Sequence, residues 1–191
     1  MVAGSSATKL SSVSTVAAEV TPRRRTRLGA GAGLLACALI IGILGGLGWG
    51  SARPAYVGEA GPDGVVVDQA ASPANVEFAA LGWFALITSL AGVLIALVAW
   101  RHTSRGTVRG GAGWLWWVIA CAGAAAVCVF VFGDWFALFL NGVPSHEEKV
   151  DGATFTVVPP LNPRVAWLSG PFAATLVYWV ANLLAYMQVE D

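Results

Sequence analysis

The chain has 191 residues, of which 57% are hydrophobic and only 12% are charged, and its formal net charge is zero. Soluble domains carry about 25% charged residues, so an ordinary soluble domain is excluded as the main part of this chain. The apolar residues gather into four blocks, each long enough to cross about 30 Å of hydrocarbon. The sequence therefore predicts an all-α membrane protein, a four-helix transmembrane bundle with a small extracytoplasmic β-element.

The segment before the first apolar block, residues 1–27, is basic and poor in large side chains. Its first part is rich in Ser, Thr, Ala and Val, which bury too little apolar area to offset the entropy lost on ordering. The arginines that follow hold a terminus in the cytoplasm and also attract anionic lipid. We expect a disordered cytoplasmic tail that contains the membrane-surface residues Arg23, Arg24, Arg25 and Arg27.

The first predicted span runs from about residue 28 to residue 50. Its apolar region is longer than the roughly 7–15 residues of a signal peptide, so we interpret it as a retained helix. Gly42, Gly46 and Gly50 recur at four-residue spacing, which lets two helix backbones approach closely in lipid. We therefore predict that these three glycines pack helices together inside the bundle, with homo-oligomerisation as the alternative.

Two connections, residues 51–77 and 134–166, are predicted to lie outside the cytoplasm. In the first, the β-prone runs 56–58 and 65–67 flank a turn-rich stretch, and in the second, residues 154–158 form another β-prone run. An isolated hairpin is only marginally stable, whereas three strands are more stable. The sequence thus predicts one small β-element assembled from both connections.

Three further spans are predicted at about residues 78–100, 113–133 and 167–187, followed by a cytoplasmic tail of residues 188–191. Tryptophans lie near the ends of these spans, as is typical of residues at membrane–water boundaries. Residues 134–142 are too apolar for a free loop. They are expected either to lengthen the third helix or to lie along the membrane surface.

The basic residues are distributed unevenly, which predicts an orientation. Eight of the 11 lysines and arginines lie before the first span or between the second and third spans, and three lie in the other two connections. Because Lys and Arg near span ends favour the cytoplasm, we expect a multi-pass plasma-membrane protein with both termini cytoplasmic. The membrane-surface arginines of the inner connection are Arg101, Arg105 and Arg109.

Two carboxylates, Asp134 and Glu77, lie closest to the apolar blocks. An ionisable group within a helical bundle is costly and is therefore a functional candidate. Glu77 also lies where a helix begins, and a negative charge there favours the helix dipole. Large apolar residues surround Asp134 on both sides, so Asp134 is the better candidate for a proton or ion route.

His146 and Glu147, with Glu148 beside them, form the only run that resembles a set of metal ligands. Because they are adjacent in a polar connection, we expect a solvated loop and no metal site. The sequence contains no nucleophile elbow, zinc-binding helix motif or phosphate-binding glycine loop. We predict no catalytic residues and no cofactor; a lipid-directed enzyme using His146 is a minor alternative.

Three short motifs resemble a known family. They are Gly48 to Pro54 (GWGSARP), Phe78 to Phe84 (FAALGWF), and the arginines from 101 to 109 with their Arg-Gly step. Over about residues 28–187 the chain resembles an actinobacterial family of conserved four-span membrane proteins classed as a domain of unknown function. Family members often have an acid where this chain has Leu81, so a role tied to that acid does not carry over. The resemblance implies the four-span topology and an actinobacterial plasma membrane, and it implies no catalytic residues.

The functional hypothesis is a non-enzymatic accessory or stabilising subunit of a membrane complex of the cell envelope or energy metabolism. The expected partners are the lipid bilayer and another membrane protein, and no nucleic acid is expected. The alternative hypothesis is a small oligomeric transporter or ion pathway that uses Asp134 and Glu77.

Overall fold

The computed structural model describes the backbone of residues 5–61, 64–108, 110–141 and 154–188, and it describes side chains outside residues 5–26 and 60–65. In these ranges the chain forms four long α-helices and three short strands. A 3-10 helix, Arg164–Leu168, leads directly into the last α-helix. The α-helices are α1 (Ser5–Ala52), α2 (Val76–Ser104), α3 (Ala112–Leu140) and α4 (Ser169–Met187).

Four segments of the described chain are long enough and apolar enough to cross a membrane. They contain 26, 29, 29 and 24 residues. At 1.5 Å per helical residue, even the shortest exceeds the roughly 30 Å of a hydrocarbon core. These segments are Arg27–Ala52, Val76–Ser104, Ala112–Leu140 and Arg164–Met187.

Two helices reach beyond their predicted spans. Helix α1 begins at Ser5, whereas its span was predicted from about residue 28, and the disorder expected for residues 1–27 stays a prediction. Between Ser5 and Leu28 the chain has no glycine, and its one helix-breaking residue is Pro22. Helix α3 continues past residue 133 to Leu140, so residues 134–140 lengthen the third helix and the connection predicted from residue 134 begins after Leu140.

The helices associate as two pairs, α1 with α3 and α2 with α4. In the first pair the glycines of α1 lie directly against the α3 backbone. A Cβ added to Gly42 would lie 2.7 Å from the Ala125 carbonyl oxygen, and one added to Gly46 would lie 2.9 Å from that of Val129. Gly50 faces Gly133 in the same way. The residue numbers of these contacts increase in the same direction along α1 and α3, so the two helices are parallel. The glycines permit their close approach.

The buried interior consists mainly of small side chains, whereas many large apolar side chains lie on the outside of the bundle. The interior includes Leu34, Ala38, Ala96, Ala122 and Ala125, all of which are almost fully buried. The outward-facing residues include Ile40, Leu44, Leu90, Leu94, Val127, Val131, Leu176 and Trp179. This arrangement is the reverse of an ordinary soluble bundle, where polar residues cover the outer face.

The strands form one antiparallel sheet with the order β2-β1-β3. Gly58 of β1 pairs with Val67 of β2 on one side and with Phe155 of β3 on the other. Because β3 belongs to the connection before α4, the predicted β-element from both connections is present. The strands are β1 (Tyr56–Gly61), β2 (Gly64–Val67) and β3 (Thr154–Val157).

Helices α1 and α3 both end at the end of the bundle that carries the sheet, and we call this end the sheet end. The opposite end contains Arg27, the end of α2 and the start of α3, and we call it the arginine end.

Candidate functional site

The candidate site lies at the sheet end and is built around Arg53, the first residue after α1. Arg53 precedes Pro54, and a residue before proline is disfavoured in the helical conformation. The helix therefore ends at Ala52. Although Arg53 belongs to a connection, its side chain is fully buried, with 0% exposure.

Arg53 forms an ion pair with Asp134 of α3. Its Nη1 donates a hydrogen bond to Oδ1 of Asp134 at 2.7 Å. The Asp134 side chain is 39% exposed, so the pair extends from the interior to the surface. Removing a charge from water is costly, and a nearby opposite charge offsets much of that cost. The extension of α3 past residue 133 is what brings Asp134 to Arg53.

Two further contacts fix the guanidinium. Its Nη2 donates to the carbonyl oxygen of Pro159, in the segment between β3 and the 3-10 helix. Its Cζ lies 4.9 Å from the centre of the Trp49 ring, within the range of a cation–π interaction. The Nε atom is buried and has no hydrogen-bond partner among the described residues. Arg53 thus joins the end of α1, α3 and the second connection.

Beneath Arg53 lies a cluster of four aromatic rings, which we call the aromatic cluster. Trp49 is fully buried, and its Nε1 donates to the Ala80 carbonyl oxygen of α2 at 3.0 Å. Its ring centre lies 5.3 Å from that of Phe84 in an edge-to-face arrangement. The remaining members, Phe130 and Trp167, have ring centres 5.2 Å apart. Trp49, Phe84, Phe130 and Trp167 therefore bring all four apolar segments together below the ion pair.

Glu77 lies elsewhere and is exposed in the first turn of α2. It lines a polar cleft of about 600 Å³ between β1 and the start of α2. Asn75, which precedes the helix, has a φ of 57° in the left-handed region that asparagine tolerates better than most residues. The residues lining the cleft are Tyr56, Gln69, Ser72, Pro73, Ala74, Asn75, Glu77 and Phe78. Asp134 is not among them, so the two candidate carboxylates belong to separate sites.

Several of the predicted residues lie outside the described part of the chain. His146, Glu147 and Arg109 are among them, and the side chains of Arg23, Arg24 and Arg25 are as well. In the described ranges, no three His, Cys, Asp or Glu side chains come together to hold a metal ion. Arg101 and Arg105 are exposed at the arginine end.

A second polar contact joins α2 to α4. The Thr88 and Ser169 hydroxyl oxygens lie 2.7 Å apart, and Thr88 Oγ1 also donates to the Phe84 carbonyl oxygen. Sequence reasoning did not single out Thr88, Ser169 or Arg53. For Arg53 there was a signal, since an isolated arginine follows one apolar block directly and an isolated aspartate ends another. Hydroxyl residues within an apolar block carry no comparable signal.

Comparison with protein-family models, curated proteins and solved structures finds no match to this chain. The resemblance to the actinobacterial four-span family therefore stays a prediction.

Proposed function

We propose that the chain is an integral membrane protein whose four apolar segments cross the plasma membrane of an actinobacterial cell. Large apolar side chains cover the outside of its helices, as hydrocarbon contact requires. Arg27, Arg101 and Arg105 are exposed at the arginine end, which supports a cytoplasmic position for that end and for both termini. The sheet then lies outside the cytoplasm.

Within that membrane we propose a non-enzymatic accessory role, in which the chain stabilises another membrane assembly of the cell envelope or energy metabolism. The observation that carries this proposal is the ion pair of Arg53 and Asp134. The carboxylate best placed for chemistry is used to hold the protein's own segments together. Because the Asp134 charge is used in an internal contact, it contributes to the stability of the fold. The proposed function then depends on contacts made by the protein surface.

The sheet is the surface we propose for partner contact. Strands β2 and β3 form its two edges, and edge strands present unpaired backbone groups that another chain can pair with. Val66 of β2 is 66% exposed, so the edge carries an apolar side chain as well. An extended segment of a partner is the chemistry that fits such an edge.

A small ion pathway is the second candidate, and the 39% exposure of the Asp134 side chain favours it. In this case the carboxylate would leave Arg53 during transport. Asp134→Asn would then abolish transport in reconstituted vesicles even where the variant chain remains folded.

The proposed role is tested by extracting the tagged chain directly into native nanodiscs and identifying copurifying proteins by mass spectrometry. A partner at fixed stoichiometry is expected. The variant Val66→Lys, which adds a charge to the edge strand β2, should lower the recovery of that partner, and Thr154→Lys tests the β3 edge in the same way. A chain recovered only with copies of itself would contradict the accessory role and favour the ion pathway.

A further inference from the structure

A groove of about 430 Å³ lies at the arginine end between α1 and α3. Its volume falls within the roughly 300–1,000 Å³ of small-molecule sites in proteins. Its walls are almost entirely apolar, and one charged residue, Arg27, lies among them. The lining residues are Arg27, Leu28, Gly31, Ala32, Leu35, Trp114 and Trp117.

The sequence creates this groove by placing small residues opposite large ones. Gly31 and Ala32 leave space on α1 between Leu28 and Leu35. On α3, Trp114 and Trp117 are three residues apart and therefore share one face of the helix. Nε1 of Trp117 donates to the Gly31 carbonyl oxygen at 3.1 Å, which holds that ring across the groove.

The second tryptophan has an unused donor. Nε1 of Trp114 is buried and has no hydrogen-bond partner among the described residues. A buried donor left without an acceptor costs about 1–3 kcal/mol, so an acceptor supplied by a ligand is favourable. The Arg27 side chain is exposed where it lines the groove, and it has no salt bridge among the described residues. The site thus offers an apolar channel, one hydrogen-bond donor and one permanent positive charge.

We propose that this groove binds one anionic phospholipid of the cytoplasmic leaflet. Arg27 binds the phosphate, for which a guanidinium has matching geometry, and an acyl chain lies along Leu28, Ala32 and Leu35. On binding, a rotation of the Trp114 ring brings its buried Nε1 to the groove, where it donates to an ester or phosphate oxygen of the lipid. Charge complementarity selects this occupant, because the cytoplasmic leaflet is the anionic one and a lipid of zero net charge, such as phosphatidylcholine, already balances its phosphate with its own choline cation. This inference rests on the membrane orientation proposed above.

The test uses the full chain, purified in detergent and studied by native mass spectrometry. It is titrated with phosphatidylglycerol and, separately, with phosphatidylcholine of the same acyl chains. One tightly retained phosphatidylglycerol is expected, bound at least tenfold more tightly than phosphatidylcholine. Equal retention of the two lipids would overturn the proposal, as would displacement of phosphatidylglycerol by inorganic phosphate alone.

Matched variants assign the binding to this groove. Arg27→Gln should weaken phosphatidylglycerol binding about tenfold, whereas Arg101→Gln, which removes an exposed arginine outside the groove, should leave it unchanged. Trp114→Phe removes only the indole donor and should weaken binding severalfold, whereas Trp116→Phe should not, since Trp116 does not line the groove. Ala32→Phe should fill the groove and abolish retention. Equal effects of Arg27→Gln and Arg101→Gln would overturn the site.

The same preparation separates failure of this inference from failure of the proposed function. A chain that extracts with membranes but retains neither lipid preferentially overturns only the lipid site. A chain recovered from the aqueous fraction overturns the membrane orientation and the lipid site together.

Discussion

Nη1 of Arg53 lies 2.7 Å from Oδ1 of Asp134, a contact between residues 81 positions apart in the chain. It occurs where α1 has just ended and six residues of α3, nearly two turns, remain. Since Arg53 also donates to Pro159, one side chain holds the end of the bundle and the approach to α4 together. Asp134, the carboxylate that the sequence favoured as a functional group, thus has a structural role. Its neighbours in the sequence do not reveal this role.

The first prediction concerns the asymmetry of this pair. Asp134→Asn leaves a cation fully buried, whereas Arg53→Met leaves a carboxylate that is 39% exposed and reaches water. Removing one partner of a buried ion pair costs about 3–5 kcal/mol of stability, because the other charge stays buried and unpaired. When Arg53 is removed, the remaining carboxylate of Asp134 is partly exposed, so the cost is lower. We therefore expect Asp134→Asn to lower thermal stability in detergent more than Arg53→Met.

Glu59→Gln is the matched control for this comparison, because it neutralises an exposed carboxylate of the sheet. Its midpoint of unfolding, followed by size-exclusion recovery after heating, should not move. A stability of Asp134→Asn equal to that of the unchanged chain would show that the pair contributes nothing to the fold.

The second prediction concerns the α1–α3 contact. A Cβ added to Gly46 would lie 2.9 Å from the Val129 carbonyl oxygen, whereas one added to Gly48 would meet no atom within 4 Å. Overpacking costs about 1–3 kcal/mol, and backbone atoms cannot move aside as a side chain can. Gly46→Ala should therefore lower the unfolding midpoint by several degrees, while Gly48→Ala should leave it unchanged or raise it. A similar effect of both substitutions would contradict the close helix contact.

Features of the fold that depend on a single segment were easier to predict from the sequence than features that depend on contacts between distant segments. Span length and glycine spacing are properties of one segment, so four long apolar helices and the face of Gly42, Gly46 and Gly50 were predictable. The continuation of α3 to Leu140 could not be decided from that segment alone, since Asp134 pairs with Arg53 of a distant connection, and the sequence left two alternatives open. The start of α1 at Ser5 was not predictable in the same way, because composition describes the segment before residue 28 without its connection to the adjacent apolar helix.

The third prediction separates steric from polar contributions at the α2–α4 contact. A Cβ on Gly92 would collide with the Gly170 carbonyl oxygen, whereas one on Gly82 would meet open space. Thr88→Val removes the hydroxyl contact with Ser169, and hydrogen bonds between membrane helices average only about 0.6 kcal/mol. Gly92→Ala should therefore destabilise the chain more than Thr88→Val does, and Gly82→Ala should be neutral. A larger effect of Thr88→Val would mean that hydrogen bonding dominates this contact.

The fourth prediction tests the sheet that both connections form. Val57 of β1 and Thr156 of β3 are directly opposed. Opposed residues of antiparallel strands have Cα atoms about 4.5–5.5 Å apart, a separation that a disulfide spans. With the three native cysteines replaced by alanine, the pair Val57→Cys and Thr156→Cys should form a disulfide, detected as a mobility shift on non-reducing gels.

The register control for this cross-link pairs Val57→Cys with Thr154→Cys. In the observed register Thr154 faces Glu59, so this second pair is displaced by two residues and should cross-link poorly. More efficient cross-linking of the displaced pair would contradict the register.

The candidate site was less predictable than the fold, for the same physical reason. Asp134 was identified from its apolar neighbours, but its partner Arg53 was counted only as a charge of a connection. Whether an ionisable residue at a span end reaches water or a second charge depends on how the helices pack. Trp114 illustrates the same limit, since only the packed structure shows that its indole N–H is buried and meets no acceptor among the described residues.

The orientation of the bundle underlies the partner surface and the lipid site, and single-cysteine labelling of intact cells tests it most directly. In a cysteine-free background, Gln69→Cys places a thiol in the exposed connection beside the sheet, and Ser104→Cys places one at the exposed arginine end. A membrane-impermeant maleimide should label the Gln69→Cys chain in intact cells and the Ser104→Cys chain only after permeabilisation. The opposite pattern, or labelling of both in intact cells, would contradict a bundle that crosses the membrane with its sheet outside.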